Sequence, residues 1–227
     1  MTPLNSVRWI IFDAVGTLIH ADPAVHLAYY RIASRHGSKR TAAEVGQRVK
    51  EALSDARSPE LATSEEGEQR YWQDVVNSVF PELADTPACF EQLWQHFARP
   101  DSWLCYADAE ETLPALRDRG LQLGIASNFD KRLHSVLDGL PITLDRRFVA
   151  SEIGWRKPSP LFFEQIATTC GVEPHELLMV GDDFQADAQA ARAAGWQSLW
   201  LRRRNEPNPP GGTRNVRSLT ELLDCVQ

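Results

Sequence analysis

The amino-acid sequence predicts an α/β fold, in which a doubly wound parallel sheet is interrupted by an all-helical insertion. Short apolar runs of strand length alternate with helical patterns from about residue 102 onward, and one more such run lies near the start of the chain. Residues 18–100 show only long helical patterns. Repeated strand–helix units require parallel strands with right-handed crossovers. The 227 residues, 43% of them hydrophobic, suffice for one good core and a second small lobe.

The first predicted strand is the apolar run at residues 7–12, which leads directly into Asp13-Ala14-Val15-Gly16-Thr17. Such a strand fixes a carboxylate at its end, and the Gly turn supplies backbone N–H groups for an anion. An aspartate placed in this way is one route to covalent catalysis. An Asp after a strand is also a common turn former, so its function depends on the other motifs.

The insertion is predicted to contain four amphipathic helices. They are expected at residues 23–36, 41–57, 65–80 and 86–97. The prolines that punctuate them are Pro59, Pro81 and Pro100. We interpret the apolar side chains at helical spacing, such as Trp72 and Val75, as packing within this insertion. The alternative is that some of them line a substrate entrance.

Strands and helices are predicted to alternate in the second half of the chain. A helix at residues 113–119, with Pro114 in its first turn, precedes a strand at 121–126. Ser159 is expected to cap a helix that ends near Gly171. The last predicted elements are a strand at 177–180, an alanine-rich helix at 185–194 and a strand at 198–201.

Three polar residues, Asp13, Ser127 and Asp182, directly follow predicted strands. The carboxyl ends of parallel strands meet at one edge of the sheet, and open α/β sheets bind their ligands there. We therefore expect these three side chains to converge from distant positions in the chain.

Composition and charge argue against several classes of protein. No run approaches the roughly 20 apolar residues of a membrane span, and the N-terminal residues lack a charged-then-apolar leader. A soluble cytoplasmic protein without a membrane partner is expected. The net charge of −7 argues against nucleic-acid binding. The basic run Arg202-Arg203-Arg204 is interpreted as part of a solvated loop, with anion binding as the alternative.

Four motifs, taken together, identify a family. They are the Asp13 pentapeptide, Ser127-Asn128 after an apolar run, Lys157-Pro158 before a helix, and the acidic run at residues 181–187. In this order and at this approximate spacing they resemble the motifs of the haloacid dehalogenase-like hydrolases, which are mostly magnesium-dependent phosphatases with a helical cap. The resemblance implies a Rossmann-like hydrolase core at residues 1–17 and 101–227, and a helical cap domain at residues 18–100.

The resemblance also implies the roles of the acidic residues. Asp13 is the expected nucleophile, and it would form an aspartyl-phosphate intermediate. The expected cofactor is Mg²⁺, with Asp13, the main-chain oxygen of Val15, Asp182 and Asp187 as its ligands. Asp183 is expected to lie behind these ligands as their partner. Carboxylates this close repel each other strongly, which itself implies a cation.

The remaining motif residues are expected to bind the phosphoryl group. Lys157 supplies a positive charge, and Lys157 and Ser127 complete the implied catalytic set. The implied phosphate-binding residues are Gly16, Thr17, Ser127, Asn128 and Lys157. The expected partner is a small phosphorylated metabolite, whose identity the sequence does not give. It leaves the oligomeric state open as well.

Val15 departs from the family pattern. In the family's phosphatases, the residue two after the nucleophile is usually a second aspartate, which protonates the leaving alcohol and then activates water. Valine has no proton to give. General acid–base catalysis contributes about 10²–10⁴-fold, so we expect slow hydrolysis of alkyl phosphates and less impaired hydrolysis of aryl or acyl phosphates. His20, just after the motif, is another candidate acid.

The main alternative is a 2-haloacid dehalogenase. These relatives also lack the second aspartate, because a halide leaves without a proton. Two features count against this alternative. Their metal-free fourth motif typically contains Ser-Asn, whereas this chain has Asp182-Asp183, and the Tyr after their Lys-Pro is matched here by Phe162-Phe163.

Two further alternatives follow from Val15. A phosphonate hydrolase of this superfamily uses a cap lysine to form a Schiff base, and only Lys39 and Lys50 lie in the predicted cap. We interpret both as surface charges. A non-catalytic protein that binds a phosphate or a partner could also have kept the site and lost the acid.

Overall fold

A parallel sheet forms the centre of the protein in a computed structural model, which describes residues 4, 6–55, 61–203 and 213–226. Six strands form this sheet, and two more form a separate ribbon. The strands are β1 (Trp9–Phe12), β2 (Ile19–Ala21), β3 (Trp103–Cys105), β4 (Gln122–Ser127), β5 (Arg146–Val149), β6 (Leu177–Gly181), β7 (Gln197–Leu201) and β8 (Asn215–Val216).

The order of the strands places a crevice beside β1. The sheet runs β5-β4-β1-β6-β7-β8 and its pairs are parallel. The chain therefore moves outward from β1 to β5, crosses back, and continues from β6 to β8 on the other side. Ile10 of β1 pairs with Leu123 of β4 and with Leu178 of β6. The predicted Rossmann-like doubly wound sheet is confirmed, and its crevice lies where such sheets bind ligands.

Helices cover both faces of the sheet and form the insertion. They are α1 (Val25–Arg35), α2 (Ala42–Asp55), α3 (Glu65–Val79), α4 (Thr86–His96), α5 (Ala107–Asp118), α6 (Arg132–Asp138), α7 (Ala150–Ile153), α8 (Pro160–Cys170) and α9 (Ala190–Ala193). Short 3₁₀ turns lie at Pro100–Ser102, Pro174–Glu176 and Leu219–Asp224, and a π-helical turn lies at Phe184–Gln189. In the described ranges, no helix combines the length and the apolar composition needed to cross a bilayer.

The central strand β1 is buried on both faces. Side chains alternate along a strand, so Ile10 and Phe12 pack with α5 and α6, whereas Trp9 and Ile11 pack with α8 and α9. None of the four side chains exceeds 4% exposure. This explains the continuous apolar run in the sequence, which is typical of a strand covered on both faces. The strand is consequently a rigid support for the loop that follows it.

The helices α1–α4, hereafter the helical segment, have a hydrophobic cluster of their own, which includes Val75, Val76 and Val79. The segment leaves and rejoins the rest of the chain through β2 and β3, which pair as an antiparallel ribbon with Ile19 opposite Cys105 and Ala21 opposite Trp103. The domain limits of 18 and 100 given by the sequence stay a prediction.

The structure confirms the four helices predicted for the insertion, and the helix ends that fall among the described residues lie within two residues of those expected. Arg57 and Pro59, at the end of the second one, lie outside the described residues. The predicted strands at 121–126, 177–180 and 198–201 are confirmed as β4, β6 and β7.

The first residue predicted for the helix at residues 113–119 is wrong. α5 begins at Ala107, so Pro114 lies inside the helix and not in its first turn. A buried face of Ala109, Thr112, Leu113 and Leu116 runs along the helix. This packing against the sheet stabilises the helix although Pro114 removes one backbone N–H donor.

Candidate active site

Asp13 lies at the carboxyl end of β1, where its backbone N–H donates to the carbonyl of Val180 at 2.8 Å. The loop after Asp13 closes on itself: the N–H of Gly16 donates to the Ile19 carbonyl at 2.8 Å, and that of Thr17 to the Ala14 carbonyl at 3.3 Å. These two backbone donors are thus already engaged. Their position beside Asp13 is as expected, and phosphate binding by Gly16 and Thr17 stays a prediction.

Lys157 joins two of the predicted acidic residues. Its Nζ lies 2.8 Å from Oδ1 of Asp13 and 2.6 Å from Oδ1 of Asp187, and its side chain is 2% exposed. Burial disfavours the ammonium form, but the two carboxylates outweigh burial and raise the pKa of Lys157 well above its usual range. Lys157 is therefore a fixed positive charge.

Asn128 fixes the backbone of Lys157. Its Nδ2 donates to the carbonyl of Lys157 at 2.9 Å, and the N–H of Lys157 donates to its Oδ1 at 2.7 Å. The side chain predicted to bind phosphate thus ties the end of β4 to the loop that carries the ammonium. Ser127, at the end of β4, is buried and lines the same cavity as Asp13.

Asp182 completes an acidic cluster at the end of β6. One carboxylate oxygen from each of Asp13, Asp182 and Asp187 lies within 4.8 Å of the other two. Burial, and then repulsion from Asp13 and Asp187, raises the pKa of Asp182 to about 7. Burial also raises the pKa of Asp187, opposed by Lys157 and reinforced by Asp13. The cluster holds more negative charge than Lys157 alone neutralises.

Two glycines make room for these carboxylates. Gly16 has a φ of +93°, and a side-chain carbon there would overlap the carboxylate of Asp182. A side-chain carbon at Gly181 would overlap the carboxylate of Asp187. The glycine of each motif therefore allows the backbone to approach an acidic side chain closely.

A π-helical turn places Asp187. The sequence predicts an α-helix at residues 185–194, but the structure has the π-helical turn Phe184–Gln189 followed by the short α9. Oδ1 of Asp183 accepts from the N–H groups of Gln185 and Ala186 at 2.8 and 2.9 Å, and Oδ2 of Asp187 accepts from the Asp183 N–H at 3.0 Å. This hydrogen-bonded turn brings Asp187 back onto Lys157. π-Helical turns are frequent at functional sites.

The side chain of Val15 faces the cavity. It is 38% exposed and lines the same space as Asp13. The other candidate acid, His20, packs its ring 4.8 Å from Tyr106 and is not among the described lining residues. Lys39 and Lys50 are exposed and are also absent from that lining.

Arg203 is a residue of this site that the sequence analysis missed. Its Nε donates to the Gly16 carbonyl at 3.1 Å, and its Nη2 donates to the Thr17 carbonyl at 2.6 Å. The guanidinium also donates two hydrogen bonds of 2.9 Å to the carboxylate of Asp108. The guanidinium also lies 3.7 Å from the ring centroid of Tyr106. The prediction of a solvated loop is wrong for Arg203 because these acceptors are within reach of the end of β7. A position just after a strand was the available signal.

The other arginines of that run differ. Arg202 is buried, with 7% exposure, so the prediction of a solvated loop is wrong for it too, because β7 and β8 enclose its position at the end of the sheet. Arg204 and the following residues 205–212 lie outside the described residues.

The acidic cluster opens into a cavity of about 450 Å³ between the sheet edge and the helical segment. Its other walls come mainly from apolar side chains of the helical segment and the adjoining loops. Arg132 also lines this cavity, with its guanidinium 3.3 Å from the ring centroid of Trp94 and in a bidentate pair with the buried Asp130 at 2.6 and 2.7 Å.

Comparisons with known proteins agree with this geometry. The family model of the haloacid dehalogenase-like hydrolases matches residues 7–195. The haloacid dehalogenase-like hydrolase domain-containing protein 3 of Bos taurus is 32% identical over 204 residues, which cover 85% of this chain and 81% of the relative. The phosphoserine phosphatase of Thermus thermophilus is 31% identical over 147 residues, 63% of this chain and 59% of the relative.

A solved structure of a dehalogenase superposes with a TM-score of 0.75 and covers 97% of both chains, at 24% identity. At that identity the likeness shows the fold alone. The family model, by contrast, spans the Asp13, Ser127, Lys157 and Asp182 motifs that the fold brings to one sheet edge. The chain therefore belongs to the haloacid dehalogenase-like hydrolase family.

Proposed function

We propose that this protein is a Mg²⁺-dependent phosphatase that acts on a small phosphorylated metabolite through an aspartyl-phosphate intermediate. The observation that carries the proposal is the buried ammonium of Lys157 between Asp13 and Asp187, with Asp182 beside them. This arrangement offers a nucleophile, a fixed positive charge and a cation site within one small volume. The relationship to a phosphoserine phosphatase supports phosphoryl chemistry.

The donor set fits Mg²⁺. Carboxylate oxygens are the hard ligands that this ion prefers, together with water and phosphate oxygens. Three carboxylates and one ammonium leave two uncompensated negative charges, which a divalent cation balances. Burial and then repulsion from the other two carboxylates raise the pKa of Asp182, and a bound cation would relieve the repulsion. We propose Asp13, the Val15 carbonyl, Asp182 and Asp187 as the ligands. When bound, Mg²⁺ would offset the negative charge of the phosphoryl oxygens.

The proposed first step belongs to Asp13. One carboxylate oxygen attacks phosphorus, the bond from phosphorus to the leaving oxygen breaks, and its electron pair stays on that oxygen. Lys157 holds the carboxylate in place and stabilises the charge on the phosphoryl group, and the Ser127 hydroxyl donates to a phosphoryl oxygen. Water then attacks the phosphorus, which frees Asp13 and releases inorganic phosphate. Asn128 contributes by holding the backbone of Lys157.

Val15 limits the range of substrates. Without an acid beside the nucleophile, the leaving oxygen departs unprotonated, and the attacking water lacks a strong base. We propose that the enzyme is slow on alkyl phosphates for this reason. Residues 18–100 are proposed as the cap that closes over the substrate.

The experiment is a substrate panel with and without Mg²⁺. It contains p-nitrophenyl phosphate, acetyl phosphate, a sugar phosphate and 2-chloropropionate, and it follows both phosphate and chloride release. Phosphate release from the first two that requires Mg²⁺ is the expected result. Beryllofluoride, a mimic of a phosphoryl group on a carboxylate, should bind only with Mg²⁺.

A second candidate function is a 2-haloacid dehalogenase, which Val15 favours because a halide needs no proton. Chloride release without Mg²⁺, and no phosphate release with it, would establish this candidate instead. The acidic cluster argues against it, because Asp182 and Asp187 would then place uncompensated charge beside an anionic substrate.

A further inference from the structure

The part of the cavity away from Asp13 is apolar and large. Its walls include Val25 of α1, Trp72 and Val76 of α3, Phe90 and Trp94 of α4, and Phe97. The volume of about 450 Å³ falls in the range of roughly 300–1,000 Å³ that is typical of small-molecule sites. A phosphoryl group fills only a small part of this space, so the cavity has room for a leaving group of considerable size.

The positive charges of this cavity are already paired. Among the described lining residues the cations are Lys157 and Arg132. Lys157 pairs with Asp13 and Asp187, and Arg132 makes its bidentate pair with Asp130 while it stacks on Trp94. A carboxylate on the leaving group would therefore find no unpaired cation among the described lining residues. The hydroxyl groups of a sugar would likewise lose hydrogen bonds to water against the apolar walls.

Val15 restricts the acidity of the leaving group, and this restriction is independent of the apolar walls. A leaving oxygen that departs without a proton must be intrinsically acidic. A phenol has a pKa of about 10, as in tyrosine, whereas an alkyl alcohol lies nearer to water at about 15.7. An aromatic alcohol thus satisfies both observations, since its ring fits an apolar wall and its oxygen leaves readily.

The geometry points to phosphate monoesters of aromatic alcohols as the substrate class, with the aromatic ring packed against Trp72, Phe90 and Trp94. This inference rests on the proposed phosphatase function. In the step concerned, the bond from Asp13 to phosphorus forms, the bond from phosphorus to the aryl oxygen breaks, and the phenolate leaves with the electron pair and takes a proton from water.

Tyr29 adds one polar group to the aromatic walls. It is almost fully buried, lines the cavity, and its hydroxyl makes no hydrogen bond within the part of the chain that the structure describes. Burial raises the pKa of Tyr29 far above its usual range, so the hydroxyl keeps its proton. It is a donor for one acceptor atom on the substrate.

The test compares kcat/KM for 1-naphthyl phosphate, phenyl phosphate, acetyl phosphate, phosphoserine and glucose 6-phosphate in the presence of Mg²⁺. Acetyl phosphate has an acidic leaving group without a ring, so it separates acidity from packing. KM is expected to fall from phenyl to 1-naphthyl phosphate, by about fourfold for each methylene-sized group buried. Phosphoserine and glucose 6-phosphate are expected to react at least about tenfold more slowly than phenyl phosphate.

A pair of variants tests the wall directly. Leu53 lines the cavity, and Leu53→Gln keeps its size but adds polarity. Leu161→Gln makes the same change on α8, at a leucine 42% exposed and outside that lining. Leu53→Gln should raise KM for 1-naphthyl phosphate by about tenfold and leave acetyl phosphate unaffected, whereas Leu161→Gln should change neither. Quenching of tryptophan fluorescence by 1-naphthylmethylphosphonate gives the same comparison without turnover.

The possible failures can be told apart. Equal or better hydrolysis of phosphoserine or glucose 6-phosphate than of the aryl esters overturns the substrate class and leaves the phosphatase proposal standing. Equal effects of Leu53→Gln on 1-naphthyl and acetyl phosphate also overturn it. If no phosphate compound is hydrolysed, the phosphatase proposal fails, and the substrate class fails with it.

Discussion

The two sides of the cavity differ in the forces that hold them together. The sheet side is charged and directional: Lys157 and Asn128 meet their partners at 2.6–2.9 Å. The helical side is apolar, and its aromatic rings pack without directional bonds. The ring centroids of Phe90 and Trp94, for example, lie 5.6 Å apart. Hydrogen-bonded charges tolerate little displacement, whereas apolar burial depends mainly on area. The sheet side is thus suited to one fixed chemistry and the helical side to the selection of a ligand by its shape.

The most severe way to break the sheet side is Asp13→Asn. The amide is nearly isosteric but a far poorer nucleophile, so phosphate release should fall by about 10⁴-fold or more. The control is Asp22→Asn, the same change at an exposed aspartate. Single-turnover assays should detect no covalent phosphate on the Asp13 variant. Turnover at the rate of the unmodified protein would exclude the covalent mechanism.

Removal of the Lys157 ammonium, which Asp13 and Asp187 share, is expected to have the second-largest effect. Lys157→Gln leaves Asp13 and Asp187 side by side without their partner, so kcat should fall by about 10²–10³-fold. The free energy of unfolding should fall by about 3–5 kcal/mol in the absence of Mg²⁺. Urea denaturation measures the second effect. Lys131→Gln, at a side chain that is 67% exposed, should change neither quantity.

Val15→Asp should repair the missing acid. The rate on alkyl phosphates is expected to rise by about 10²-fold, an ordinary contribution of a general acid, with a much smaller change on aryl phosphates. Circular dichroism must first show that the variant is folded, because a partly buried carboxylate can destabilise the loop. A folded variant without any gain on alkyl esters would favour the non-catalytic alternative.

Mg²⁺ should stabilise the protein in a pH-dependent way. The pKa of Asp182 is raised to about 7, so its protonated form is favoured by folding. This contribution to the free energy of unfolding is fully present below the unfolded pKa of about 3.9 and is lost as pH rises through about 7. A Mg²⁺ concentration about 100 times the Kd measured above pH 7 should add about 2.7 kcal/mol to the free energy of unfolding. The same concentration should add less in acid, where Asp182 is protonated.

Thermal unfolding at several pH values, with and without Mg²⁺, measures this effect. Asp182→Asn should abolish the stabilisation by Mg²⁺. Equal Mg²⁺ effects in the variant and in the unmodified protein would mean that the cation binds elsewhere.

The smallest effects are expected from substitutions of two similarly paired arginines, one on the sheet side of the cavity and one on the helical side. Arg203 pairs with Asp108 and holds the loop after the nucleophile, while Arg132 pairs with Asp130 beneath the apolar wall. Lysine cannot reproduce either bidentate pair. Arg203→Lys should lower kcat by about tenfold with little change in KM. Arg132→Lys should raise KM for aryl phosphates and leave kcat nearly unchanged. Identical kinetic changes in both variants would contradict the division between the two sides.

The sequence predicted best the positions of the site residues that directly follow strands. Asp13 and Asp182 follow apolar runs, and the parallel topology brings those runs together, so their proximity followed from pattern alone. The contacts of Asn128 and Arg203 with backbone atoms did not, because they depend on how two distant loops approach each other. The π-helical turn that contains Asp187 was also missed, since alanine-rich composition favours any helical geometry equally well.

The β2–β3 ribbon has a consequence for how such a protein can change over evolutionary time. The segment of residues 22–102 begins directly after Ala21 and ends directly before Trp103, and these two residues pair in the ribbon. The entropy of closing a loop grows only with the logarithm of its length, so the ribbon tolerates insertions of very different size. Selectivity can therefore be rewritten between these two positions by replacing or lengthening helices, while the strands that hold Asp13 and Asp182 and the loop that carries Lys157 are inherited intact.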